Sequence, residues 1–329
     1  MDENIKSQIE KIRRDCEVIK PLVVIRCITY NHKDYIRDAL DGFVNQKTSF
    51  PYVAIVHDDA STDGTAEIIQ EYAKRYPDII KPIYETENQY SKHDGSLGRI
   101  VNGAAEATGA SYIALCEGDD YWIDLLKLQK QFDFLYSHPD YSMCFHGVKV
   151  KQEGTSNIGV SVENVYTREY SAEDLLGKWT VPTCSAIMRI DCIINKPYSP
   201  EFIVGDNVLW ANCLTKGRVW GFSEVMGVYR RVLGGWTEKA VKDRNIRYNN
   251  YFRWIKHYRA MIICFPKIDR RIFESQIVMN MGNITVLDIF LFKKEFFKNF
   301  HKFYSQYKVR YLQNVGRSIL KVIKSKLKK

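Results

Sequence analysis

The chain alternates short apolar runs with segments of helical periodicity. Leu22–Ile28, interrupted only by Arg26, is the first run, and Tyr52–His57 and Tyr112–Cys116 are two more. Runs this short, bounded by polar turn residues, predict buried strands. Further strands are expected over 80–84 and 141–149. Helices are expected over about 35–45, 60–76, 97–107 and 123–137, the last with its apolar positions at 125, 128, 132 and 135. Ser61, Thr62 and Asp63 supply cap chemistry for the second of these. Gly109 falls just past the end of the third. Alternation of this kind predicts a parallel sheet with helices on both faces.

Further along, residues 151–170 read as a polar loop or hairpin, 171–179 as a short capped helix and 183–189 as extended chain. A helix is expected over 206–215, and a strand, a turn and a second strand over 218–230. From about residue 244 the pattern is helical, aromatic and basic. The first 20 residues read as a charged helical lead-in, which divides the chain into 1–20, an α/β domain over 21–240 and a helical region over 241–329.

Charge sharpens that division. Residues 240–329 hold 21 Lys/Arg against 5 Asp/Glu, a net of +16, whereas the rest of the chain carries −7. A mildly acidic globule is thus followed by a strongly basic segment, which calls for a polyanionic partner. The apolar fraction of 45% excludes a disordered chain. The eight cysteines include no Cys-x-x-Cys and fall mostly inside apolar runs, so reduced core residues are expected, with neither disulfides nor a zinc site. No apolar h-region follows Met1, and no run reaches the roughly 18–20 residues of a membrane span, so neither a signal peptide nor a spanning helix is expected.

The chemistry sits where the strands end. One run delivers Asp58 and Asp59, and the other Glu117, Gly118, Asp119 and Asp120, to the C-terminal edge of a sheet. Open α/β sheets bind ligands at that edge. Carboxylates clustered there repel one another unless a cation or hydrogen-bond donors offset them. Mg²⁺ commonly keeps one or two protein carboxylates plus substrate phosphates, so a nucleotide with a divalent metal fits the pattern. The plain reading of Asp58–Thr65 is a capped helix start, but capping alone needs one such residue, and three Asp are present. Asp206, among apolar neighbours at a helix start, suits either an N-cap or a partly desolvated general base. Tyr30, Asn31 and His32 follow the first strand, and Tyr30 offers a ring to stack on a base.

Together these residues resemble the family 2 glycosyltransferases of the GT-A fold. The matching pieces are Thr29-Tyr30-Asn31-His32, Asp58 to Thr65, and Glu117-Gly118-Asp119-Asp120-Tyr121-Trp122, followed by Thr183-Cys184-Ser185, Gly205-Asp206 with Trp210, and Val228-Tyr229-Arg230 with Gly234-Gly235. The resemblance spans about residues 21–236. It implies a Rossmann-like mixed α/β sheet flanked by helices, with the helical basic region appended. It also implies an inverting transferase that uses Mg²⁺ or Mn²⁺ and a nucleotide-sugar, with UDP as the nucleotide, to extend a glycan or lipid-linked acceptor in bacterial surface polysaccharide synthesis. On this basis Thr29, Tyr30, Asn31, Asp58, Asp59, Arg99, Glu117, Gly118 and Asp119 would hold the donor. Asp119, with Glu117 and Asp120, would hold the metal, and Asp206 would be the catalytic base. Glu117 stands where the family's metal motif usually begins with Asp, and Val232 near where many members carry His.

Phe296, Phe300, Phe303 and Tyr307 recur at helical spacing with Lys298, Lys302 and Lys308 between them, and Phe292 with Lys293 and Lys294 precedes them. Ile319, Leu320, Ile323 and Leu327 repeat the design among Lys321, Lys324, Lys326, Lys328 and Lys329. This pattern fits a helix lying on an anionic membrane surface, placing the protein in the cytoplasm on the inner face of the plasma membrane. Packing against the α/β domain or a second copy of the chain is the alternative. Two other readings compete with the transferase. A sugar-phosphate nucleotidyltransferase would carry a Gly-rich basic loop after the first strand, which is absent. A nucleic-acid-binding protein would leave the acidic strand ends unexplained, so no nucleic-acid partner is expected.

Overall fold

The structure, a computed structural model, describes residues 2–153, 165–177, 180–232, 243–290 and 296–327. Helix α1 (Glu3–Ile19) opens the chain, with the Asp2 carboxylate accepting the Asn4 N–H at 3.1 Å as its cap. Its stripe of Ile5, Ile9, Ile12 and Cys16 is buried, so the charged lead-in is a packed helix. Gln8 reaches the backbone of Tyr84, donating to its carbonyl at 3.1 Å and accepting its N–H at 2.9 Å. The side chain thereby covers part of an otherwise open sheet edge.

Four parallel strands form the first half of the sheet: β1 (Val23–Thr29), β2 (Tyr52–Asp58), β3 (Ile80–Tyr84) and β4 (Tyr112–Leu115), in the order β3-β2-β1-β4. They are linked by α2 (Ile36–Val44), α3 (Thr65–Arg75) and α4 (Ser96–Ala107). The second half contains β5 (Tyr121–Trp122), α5 (Lys127–Ser137), β6 (Tyr141–Gln152), β7 (Arg168–Tyr170), α6 (Ala172–Leu176), β8 (Ile187–Arg189), α7 (Asp191–Ile194), α8 (Gly205–Lys216) and β9 (Arg218–Arg231). Strand β8 runs antiparallel to β4 and β6, and β9 runs parallel to β6. Strands β5 and β7 pair antiparallel with β9. The sheet is therefore mixed, as the family resemblance implied, where the alternation of strands and helices alone predicted a parallel one. Its core joins Val23, Ile25, Val56, Leu40, Phe43, Trp122 and Leu128.

Three further expectations are corrected. Helix α3 begins at Thr65, not near 60: Ser61 Oγ accepts the Asn31 N–H of the neighbouring loop, and Asp63 accepts the Lys33 N–H with one oxygen and the Thr65 N–H at the helix start with the other, each at 3.0 Å. Helix α5 begins at Lys127, because Tyr121 and Trp122 form the short strand β5 and Asp124 accepts the Leu126 N–H in a turn. Residues 218–231 form one strand where a strand, turn and strand were expected; β6 runs alongside with register shifts at His146 and Gly147 that absorb the polar stretch. Residues 183–185 form a single 3₁₀ turn before β8. Most of the loop expected over 151–170, the Gly234-Gly235 pair, and Phe292, Lys293 and Lys294 lie outside the described residues, as do the side chains from 321 to 329.

The chain divides into two compact units. The first, residues 1–171, 179–196 and 212–232, holds the sheet. The second, residues 172–178, 197–211 and 233–329, holds α9 (Arg244–Cys264), α10 (Arg270–Phe290) and α11 (Phe296–Leu327). Met261, Phe265, Phe273, Ile277, Met281, Ile284, Phe303 and Tyr311 form its core. The hydroxyls of Thr285 and Tyr311 bond inside it. Helix α11 departs from helical geometry at Lys308, where φ is 43°. No helix among the described residues is long and apolar enough to cross a membrane. All eight cysteines are free, and all but Cys264 are buried.

Candidate functional site

Parallel pairing brings the two acidic segments to one edge. Thr29 at the end of β1 is in register with Asp58, and Asp58 with Tyr84. The ladder between β1 and β4 continues past the last formal strand residue. Cys116 N–H donates to the Arg26 carbonyl at 3.1 Å, and Gly118 N–H to the Ile28 carbonyl at 3.0 Å. Glu117 completes it, its Oε2 accepting the Ile28 N–H at 3.2 Å and its Oε1 facing Arg26 Nη2 at 3.4 Å. The Glu117 side chain thus serves the strand edge, where the resemblance would give it a metal.

Gly118 is required by packing. A Cβ there would lie 2.8 Å from Thr29 Cβ and 2.9 Å from His32 Nδ1, closer than real contacts allow. Beside it, Thr29 Oγ1 and His32 Nδ1 are buried with no hydrogen-bond partner among the described residues. Burial pulls the His32 imidazole below its ordinary range, while the charges of Asp119, Asp63 and Asp58 push it back up. The charges of both strand ends thus act on the His32 ring.

The loop after β1 is stapled to the loop after β2. Asn31 N–H donates to Ser61 Oγ at 2.9 Å, and Asn31 Oδ1 accepts the Thr62 N–H at 2.8 Å. His32 N–H donates to Thr65 Oγ1 at 2.9 Å, and Lys33 N–H to Asp63 Oδ2 at 3.0 Å. Asn31 adopts φ 54°, a left-handed conformation that Asn tolerates better than most residues. Tyr30 is left 46% exposed at the rim, its ring open to solvent.

Asp58 and Asp59 differ in task. Asp58 is buried, and its two oxygens accept the Ser61 N–H at 3.1 Å and the Ser61 hydroxyl at 2.5 Å. Burial raises its carboxyl above the usual range, and the Ser61 bonds offset part of the rise. Asp59 spends both oxygens on the backbone of the next loop, accepting the Gln89 N–H at 2.6 Å and the Tyr90 N–H at 3.0 Å. Arg99, in the first turn of α4, is exposed and donates to the Asp94 carbonyl at 2.8 Å.

Within the acidic turn the carboxylates also diverge. Asp120 is buried and accepts the Arg230 N–H at 2.8 Å. Burial and then the neighbouring Asp119 charge hold its carboxyl well above the usual range. Asp119 is half-buried, and its carboxylate makes no hydrogen bond or ion pair with the described residues. Among the described residues no three His, Cys, Asp or Glu side chains form a metal cage. One unengaged carboxylate at a sheet edge nevertheless fits Mg²⁺ or Mn²⁺, ions that take few protein ligands and complete their shell from phosphates and water. Asp206 lies in the first turn of α8, in the second unit, and is half-buried.

Sequence reasoning named Arg230 within the Val228-Tyr229-Arg230 motif without giving it a role, and passed over Lys127. Arg230 is 4% exposed and contacts Asp119, Asp120, Asp38 and Glu153. Lys127 is fully buried, with Nζ 3.7 Å from the Trp122 ring centre. Neither role follows from local sequence, although an Arg directly following an apolar strand run was a usable hint for the first.

The profile described as Glycosyl transferase family 2 matches residues 25–193, which includes both acidic strand ends. The chain belongs to that family. A Mycobacterium tuberculosis relative, itself uncharacterised, is 37% identical over 223 residues, covering 66% of this chain and 61% of its own length. The chain thus spans about three fifths of that relative's length. The Escherichia coli UDP-Glc:α-D-GlcNAc-diphosphoundecaprenol β-1,3-glucosyltransferase WfaP is 27% identical, covering 75% of this chain and 93% of its own. Among solved structures, the Pyrobaculum calidifontis mannosyltransferase PcManGT, in complex with GDP-Man and Mn²⁺, superposes with a TM-score of 0.58 at 14% identity, covering 87% and 82% of the two chains. That likeness establishes the GT-A-type fold of this family 2 member.

Proposed function

We propose that this protein is an inverting, metal-assisted glycosyltransferase that moves a sugar from a UDP-sugar to a hydroxyl of a glycan or lipid-linked acceptor in bacterial surface polysaccharide synthesis. The observation that carries the reading is the unengaged Asp119 carboxylate, set on the same sheet edge as Asp58. The UDP donor and lipid-linked acceptor are supported by the name of WfaP, and the metal by the Mn²⁺ of PcManGT.

In this reading the exposed Tyr30 ring stacks on the nucleobase, and the lone pairs that Asp58 does not spend on Ser61 accept a base N–H. Asn31 and Asp59 hold the two loops that frame this pocket. Asp119 would hold a divalent cation, which when bound offsets the charge developing on the departing nucleoside diphosphate. Glu117, Gly118 and Asp120 fix the turn that presents Asp119, and Arg99 would leave Asp94 to reach the diphosphate. Asp206 takes the proton from the acceptor hydroxyl as it attacks the anomeric carbon from the face opposite the leaving group, and the configuration inverts.

Thermal-shift and calorimetric titration with UDP, UDP-Glc, UDP-GlcNAc and GDP-Man, each with and without Mn²⁺, test this. A UDP species should stabilise the fold, by about 2.7 kcal/mol at a hundredfold excess over Kd. Mn²⁺ should deepen the effect in the wild type and add little to Asp119→Asn. Indifference to every nucleotide, or an Asp119→Asn variant that responds to Mn²⁺ like the wild type, would contradict the proposal.

The basic helix would hold the enzyme at the inner face of the membrane. Residues 296–327 contain no acidic side chain. Phe297, Tyr304, Val309, Leu312 and Leu320 are exposed on α11 together with Lys298, Lys302 and Arg317. A basic residue near an anionic surface contributes about 1 kcal/mol, so reversing Lys298, Lys302 and Arg317 to Glu should weaken vesicle binding by at least about 100-fold. Flotation with phosphatidylglycerol vesicles reads this directly. Equal flotation of the triple variant would remove the membrane assignment.

A further inference from the structure

Arg230, one residue from the end of β9, is placed to do more than close the strand. A buried guanidinium needs partners. Its Nη1 donates to the Asp119 carbonyl at 3.0 Å, its Nε to Glu153 Oε1 at 3.2 Å, and its Nη2 to Asp38 Oδ2. The plane lies over the Tyr121 ring at 4.3 Å, with the Tyr35 ring at 5.3 Å. The same residue's backbone N–H donates to Asp120 Oδ1 at 2.8 Å.

The acidic turn is therefore held at two successive residues by one amino acid, through its side chain at 119 and its main chain at 120. The first anchor holds the Asp119 carbonyl and with it the peptide plane between Asp119 and Asp120, the second holds the Asp120 side chain, and together they restrict the direction in which the Asp119 side chain leaves the backbone. Asp38 at the start of α2 and Glu153 just past β6 hold the other side of the fork, so the guanidinium is itself held in place. A planar guanidinium supports such divergent contacts at set angles, which the single ammonium of lysine does not.

We propose that Arg230 is a positioning residue that presets the Asp119 carboxylate for the divalent cation of the donor complex, and so governs metal affinity and not the chemical step. The proposal rests on the glycosyltransferase reading above. It extends that reading to a residue that touches neither the cation nor the sugar.

The test is titration of Mn²⁺ into the full-length protein with saturating UDP, followed by the electron paramagnetic resonance signal of free Mn²⁺, for wild type, Arg230→Lys and Arg230→Met. Outer partners of metal ligands typically set affinity by about 10- to 100-fold. Both variants should therefore bind Mn²⁺ at least about tenfold more weakly. UDP affinity without metal should stay within about twofold, and kcat should largely recover at saturating Mn²⁺. A merely structural arginine would instead lower UDP binding and melting temperature together and leave the Mn²⁺ affinity of the folded fraction unchanged, which would overturn the proposal. Should Arg230→Met fail to fold, Glu153→Gln and Asp38→Asn loosen the fork from its far side. They should weaken Mn²⁺ binding by a few-fold, and wild-type affinity in both would be equally fatal. A wild type that binds UDP but no Mn²⁺ would overturn the metal-assisted reading along with this one, whereas Mn²⁺ binding unchanged across the variants overturns this one alone.

Discussion

Asp206→Asn is expected to bind UDP-sugar and Mn²⁺ as the wild type does, and to transfer sugar about two to four orders of magnitude more slowly, the span typical of a lost general base. That corresponds to roughly 3–5 kcal/mol of transition-state stabilisation. The substitution keeps the shape of the side chain and its capacity to accept a hydrogen bond, but removes the proton acceptor. Asp206 suits the task because it is half-buried in the first turn of α8, followed by the buried Val208, Leu209 and Trp210. Those residues anchor the helix start and fix where the carboxylate projects. Single-turnover transfer, measured with donor binding in the same preparation, separates the two effects. Transfer within about threefold of wild type would strip Asp206 of the role.

The carboxylate edge was legible because local and global signals agree there. Each apolar run is a strand, two of them end in Asp or Glu, and parallel register then places Thr29, Asp58 and Tyr84 level with one another. What the sequence did not disclose is the division of labour among the acids. Asp119 is the unengaged one because Glu117 is drawn to the Ile28 N–H and Asp120 to the Arg230 N–H, partners 89 and 110 residues distant in the chain. Arg230 itself depends on Asp38 across 192 residues. No window of local periodicity contains such information.

Phase errors arose where a side chain had a tertiary alternative. Ser61 and Asp63 looked like caps of a helix beginning near residue 60, but the neighbouring 31–33 loop claims Ser61, while Asp63 serves both that loop and the Thr65 N–H where α3 starts. The same kind of error reversed the environment of two residues near α5. Reading a helix from residue 123 put Leu125 on the apolar face, yet Leu125 is 44% exposed in the preceding turn. Lys127, which that phase assigned to solvent, is completely buried.

Replacing that lysine should stabilise the protein, against the usual direction for a core substitution. The Lys127 ammonium has no hydrogen-bond partner among the described residues, and burial pulls it down to about 7. An unfolded lysine keeps its proton to about pH 10.4, so between about 7 and 10 the unfolded chain binds more protons than the folded one. Linkage then makes stability rise with pH across that window. Below it, the folded protein holds a proton on an unpaired buried nitrogen, at a cost on the order of 4 kcal/mol. The face of Trp122, 3.7 Å away, favours the charged form and offsets part of this, up to about 2 kcal/mol. Lys127→Met keeps the apolar stem and removes the titration, so it should gain about 2–4 kcal/mol at pH 6–7 and progressively less toward pH 10. Cys116, Cys144 and Cys184 lie close enough to act on Lys127, and their buried thiols are pushed up, which changes stability in alkaline solution by itself. Because the thiols are common to both proteins, the difference between wild-type and variant denaturant curves isolates the lysine to first approximation. A difference that does not vary between pH 6 and 9.5, or a variant less stable than wild type at pH 6, would mean that Lys127 is satisfied where it sits.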